Sequence, residues 1–156
     1  MLAYEAYFDA LEPLRTTTNA WKSILAGLVV LRLVDDWLDG GPIAIRNNPA
    51  SVLAVREAIA RVSERDPVLP VLCNLVDVVT QSEQTIFQTI AGPMLDYGNM
   101  LASTDRCSLS QNVFASLLDR AQAVQDNLTI ARTARRLGLV LRLLGQLETL
   151  PTAHII

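Results

Sequence analysis

Two places in this chain carry the same helix-start signal, Asn48-Pro49 and Asp66-Pro67. In each, a side chain that accepts amide hydrogens precedes a proline, whose missing N–H costs nothing at the first helical position. After the first signal, Val52, Val55, Ile59 and Val62 advance by steps of three and four; after the second, Val68, Leu72, Leu75 and Val79 do the same. That period stacks side chains on one face of a helix. The first helix is predicted to end near Glu64, so only one or two residues join it to the next and an antiparallel hairpin is expected. The same period runs along the rest of the chain with no strand alternation, and the fold class read from it is all-α.

The remaining helices follow from their ends. Leu2 to Leu14 reads as an amphipathic helix closed by Pro13. Thr17 or Thr18 can cap a second helix running to about Asp39, with Gly40 as the left-handed residue that ends it. The middle of this helix is apolar nearly all round, which predicts the central, most buried element. Ile86, Phe87 and Ile90 continue a helical period, Gly92-Pro93 is expected to bend or break it, and Met94 resumes it to about Ser103. Ser108 and Gln111 have the spacing of a capping box before Phe114, Leu117, Leu118 and Ala121. Asp126 or Asn127 then caps a last helix from about Leu128 to Thr149, before Pro151.

At 156 residues the chain reads as a single domain, 1–156, large enough for a real core. Apolar residues make up 51% and charged residues 19%, more apolar than a helical core requires, so part of the excess is expected on a surface meant for a partner. The longest apolar stretch, Ile24 to Val34, contains Arg32 and is shorter than the ~20 residues that span a bilayer. No membrane span is expected. Cys73 and Cys107 are far apart and His154 is the one histidine, so neither a zinc site nor a disulfide framework is indicated, and a cytoplasmic setting fits. A net charge of −3 gives no general attraction to phosphate backbones, and nucleic acid is not the expected partner. The sign is nonetheless uneven: 12 acids and 7 bases precede Leu101, and 4 acids and 6 bases follow from it. Arg132, Arg135, Arg136 and Arg142 supply most of that second group of bases.

The stretch "LVDDWLDGG" contains Asp35, Asp36 and Asp39 as DDxxD. It resembles the motif with which all-helical isoprenoid synthases hold magnesium and, through it, a diphosphate. Magnesium wants six oxygens and gives up water reluctantly, so such a site needs further carboxylates facing the first set. No second acidic cluster is present in the sequence. The simpler reading is that the three acids keep the end of an apolar helix in water while Trp37 and Leu38 pack inward. No glycine-rich phosphate loop or nucleophile elbow appears either, so no catalytic residue and no cofactor is assigned.

The chain also echoes itself at an offset of 40 residues. Ala91, Tyr97, Gly98, Met100 and Leu101 recur as Ala131, Leu137, Gly138, Val140 and Leu141. With Ser110 and Phe114 in small-x3-Phe spacing, these positions resemble the tetratricopeptide repeat over about 94–150. Met94 and Ala134 stand where that family has tryptophan, and Gln122 where it has proline. The resemblance implies stacked antiparallel helical hairpins, with Gly98 and Gly138 as equivalent close-packed places; the alternative architecture is a closed helical bundle. It further implies a non-enzymatic domain that binds another protein or peptide, as an adaptor or the sensing part of a regulator. Arg132, Arg135 and Arg136 are the candidate polar contacts, and Leu139, Leu143 and Leu147 an incompletely covered apolar side. A homodimer is the most economical cover for that side. The other functional readings are a diphosphate-binding protein using Asp35, Asp36 and Asp39, and a purely structural homo-oligomer.

Overall fold

The computed structural model describes residues 19–47, 49–61 and 66–155. These form six helices: α1 (Asn19–Arg46), α2 (Pro49–Arg61), α3 (Val68–Gln81), α4 (Phe87–Ser103), α5 (Cys107–Ala123) and α6 (Asn127–Ile155), with no strand among the described residues. The predicted helix at 2–14, the caps at Thr17, Thr18 and Asn48, and Val62 lie outside them. Contacts gather into two compact units, one ending at Ile90 and the other starting at Ala91, within α4.

In the first unit α1 packs against both α2 and α3, and these two pack on each other. The inward side of α1 is Ala26, Val29, Val30, Leu33, Val34 and Trp37, all buried. Leu28, Arg32 and Asp39 are exposed, so α1 keeps a wet side that its apolar composition did not predict. The predicted stripes of α2 and α3 are the buried ones: Val52, Val55 and Ile59, then Val68, Leu72, Leu75 and Val79. α3 begins at Val68 with Pro67 in the cap position, one residue later than expected, and Asp66 still accepts from its first amides. The Asp66 carbonyl accepts the Leu69 amide at 3.0 Å and its Oδ1 accepts the Val68 amide at 3.1 Å.

Two breaks differ from expectation. Gly41, not Gly40, takes the left-handed conformation (φ 70°) and kinks α1, and the helix resumes at Pro42. Both glycines suit the role locally. The contact that distinguishes them is tertiary: Gly41 lies beside Thr85, whose hydroxyl donates to the Trp37 carbonyl at 3.4 Å. The second break falls at 82–86 instead of Gly92-Pro93. There the Thr80 and Ser82 hydroxyls donate to the Val76 and Val78 carbonyls at 2.8 and 2.6 Å, and Ser82 turns extended. Such side-chain bonds compete with the helical ladder. α4 continues past Gly92-Pro93 with Pro93 inside the helix, so the expected break there does not occur.

In the second unit α5 packs along α6. Ser110, Val113, Phe114, Leu117 and Ala121 are the buried face of α5. The Phe114 ring lies against the α carbon of Gly98, and the Ser110 hydroxyl donates to the Gly98 carbonyl at 2.7 Å. Gly98 is therefore a close-packed glycine, as expected. Gly138 is not: a Cβ there would meet nothing within 4 Å. The buried stripe of α6 is Thr129, Thr133 and Val140, and Gly138 is turned away from it.

Asp105 (φ 62°) and Gln125 (φ 58°) close α4 and α5. Each is followed by a six-to-one amide bond, Arg106 to Leu101 and Asp126 to Ala121, the geometry of a Schellman end. This turn places Arg106 at the cap of α5 with no side-chain bond, so the capping box of Ser108 and Gln111 does not form and Ser108 lies inside the first turn. Asp126 is the predicted cap of α6: its carboxylate accepts the Thr129 hydroxyl at 2.6 Å and the Thr129 amide at 3.2 Å. The helix then runs past Pro151 to Ile155, beyond the expected end near Thr149.

The Asp126 carboxyl is held below its usual 3.8, first by the Thr129 hydroxyl and then by the Thr129 amide, with smaller pulls from the Leu128 amide and Arg132. A lowered folded-state pKa stabilises above the unfolded value, and the benefit is lost as pH falls through the folded one. Asp126→Ala is therefore expected to lower the melting temperature at pH 7. The difference from the parent should persist to about pH 4 and vanish only below the usual carboxylate range. Melts at stepped pH check this.

Candidate partner-binding face

Thr129, Thr133 and Val140 bury one side of α6 and thereby fix what the other side presents. At 100° per residue, Arg136, Leu143, Arg132, Leu139, Arg135 and Arg142 fall in that order along one flank of the helix, from the edge of the buried stripe round to the side opposite it. All six are exposed. Leu139 keeps 41% and Leu143 45% of its surface in solvent, and Leu128 at the start of the same side keeps 60%. Leu147 belongs to α6, but its side chain lies outside the described residues.

From Asn127 to Gly145 the helix carries four arginines and no acid. Arg132 is close enough to Asp126 to help hold that carboxyl low. Arg135, Arg136 and Arg142 form no ion pair with any described residue. Four exposed arginines interleaved with exposed leucines make this flank positively charged and partly apolar. On an adjacent side, Ala134, Gly138 and Leu141 are also exposed.

The DDxxD acids sit differently. Asp35 and Asp36 are half-buried and Asp39 is exposed. Asp36 pairs with Arg32 one turn earlier on α1 at 3.5 Å. Among the described residues no three His, Cys, Asp or Glu side chains converge to hold a metal ion. No described helix is long and apolar enough to cross a membrane.

Sequence reasoning missed one feature, a cleft in the first unit with a volume of about 310 Å³. Ile45, Val52, Leu53 and Val76 form its walls, and Arg46 and Arg56 reach it. Arg56 is ion-paired with Asp77 of α3. The cleft lies where α1 ends, α2 begins and α3 passes, so no single stripe announces it.

Compared with protein-family models, curated proteins and solved structures, the chain matches none.

Proposed function

We propose that the chain is a non-enzymatic helical domain, tetratricopeptide-like in its second unit, that binds another polypeptide along the exposed face of α6. The observation that carries this reading is the acid-free run of Arg132, Arg135, Arg136 and Arg142 interleaved with exposed Leu139 and Leu143. The hairpin resemblance is supported by Gly98, Ser110 and Phe114, which come together between α4 and α5. An amphipathic segment laid on such a face gains apolar burial from the leucines and charge-assisted hydrogen bonds from the guanidiniums. The partner this favours is acidic, and the domain acts as an adaptor or as the sensing part of a regulator.

A second copy is the alternative partner. A two-fold contact through the arginine face would set like charges against each other, so self-association uses the adjacent side, where Gly138 leaves room beside Leu141. Sedimentation over a range of concentrations separates the two readings.

Selection from a random peptide display library tests the main one. Enriched peptides are expected to combine Asp or Glu with apolar residues and to bind more weakly as salt rises. The double variant Arg132→Glu, Arg136→Glu is expected to lose about tenfold or more in affinity, as for two charge-assisted contacts. Enrichment without acidic bias, or binding that the variant leaves unchanged, overturns the proposal.

A further inference from the structure

We infer that the cleft of the first unit is a binding site for a small apolar molecule bearing one carboxylate, of the medium-chain fatty acid class. The volume of about 310 Å³ is at the small end of ligand pockets. A cleft of that size suits a small ligand, for which an eight-carbon acid is the probe. The walls select the tail: Ile45, Val52, Leu53 and Val76 are aliphatic, and Leu53 is left 56% exposed although it lines the cavity. A leucine and an open apolar cavity together are what an alkyl chain would cover.

Charge selects the head. Arg46 stands in the last turn of α1, reaches the cleft and has no ion-pair partner among the described residues. The second cation, Arg56, is neutralised by Asp77, which also holds its guanidinium in place at the rim. Pro49 and Val52 of the first turn of α2 line the same cleft, and that turn contains no acid, so no carboxylate within it offsets the positive end of the helix dipole. The negative end of α1 is offset by Arg46 itself. With part of the Arg46 charge set against that negative end, the balance over Arg46 and the α2 terminus is about one positive charge, which matches a carboxylate rather than a doubly charged phosphate.

Octanoate titrated into the full chain, below its micellar concentration, tests this by calorimetry and thermal shift. Saturable one-to-one binding with a rise in melting temperature is expected. 1-Octanol and the Arg46→Ala variant should each bind about tenfold more weakly, the loss ordinary for one charge-assisted hydrogen bond. Leu53→Trp, which fills the cavity from an exposed position, should abolish binding of both compounds. No saturable binding, equal affinity for octanol and octanoate, or an Arg46→Ala variant that binds as the parent does would each overturn the inference. The site is independent of the α6 face: Arg132→Glu, Arg136→Glu is expected to bind octanoate normally, so failure here leaves the peptide reading standing and the reverse holds too.

Discussion

Leucine in place of Gly98 is expected to destabilise the second unit by roughly 1–3 kcal/mol or more, the usual cost of overpacking a dense site. Even a Cβ at this position would come within 2.7 Å of Phe114 Cζ and closer still to Cε1. Phe114 cannot yield cheaply, because its side chain is fully buried on α5. Nor can the helices part freely, since the Ser110 hydroxyl is bonded to the Gly98 carbonyl. Leucine at Gly138 should behave oppositely. It enters open space, and removing a helix-interior glycine is worth about 0.5–1 kcal/mol for a good helix former. Chemical denaturation of the two variants checks the contrast in sign. A second comparison locates the cause: Gly98→Ala should cost less in a Phe114→Leu background than in the parent, because the ring edge that it strikes is gone. Additive effects would place the strain elsewhere.

Trp37→Ala is expected to cost about 3–5 kcal/mol, the range for removing a large buried aromatic side chain. Trp37 is fully buried on α1, the helix that packs against both α2 and α3. Its removal opens a cavity where three helices converge. Trp37→Phe should be much milder than its lost volume suggests. The indole Nε1 has no hydrogen-bond partner among the described residues, and removing an unsatisfied buried donor returns part of its desolvation cost, about 1–3 kcal/mol. Urea unfolding of both variants measures the two effects. A Trp37→Phe variant as unstable as Trp37→Ala would mean that the indole nitrogen is satisfied after all. The same residue explains the appearance of the DDxxD stretch: Trp37 turns inward, and Asp35, Asp36 and Asp39 are left on the wetter sides of α1.

Several features of this fold are local and were legible in the chain. The stripes Val52-Val55-Ile59 and Val68-Leu72-Leu75-Val79 bury because a helix brings every third or fourth side chain to one face, whatever it packs against. Asp66 and Asp126 hold the first amides of α3 and α6 because their carboxylates reach donors only two or three residues away. Arg135 and Arg142 of α6 are exposed because Thr129, Thr133 and Val140 take the opposite side, which periodicity alone can read, whereas Arg132 and Arg136 flank the buried stripe and are exposed all the same. Tertiary structure decided the rest. Gly40 and Gly41 have equal local freedom, and the kink falls at the one beside Thr85, a residue distant in sequence. Gly98 and Gly138 sit in matching sequence contexts, yet only the first meets an aromatic ring, because close approach belongs to the partner helix and not to the glycine. The turns at Asp105 and Gln125 use no glycine, so nothing local marks their left-handed backbones. The cleft at Arg46 is the clearest case: its walls come from three helices, and a volume between elements exists only once they are packed.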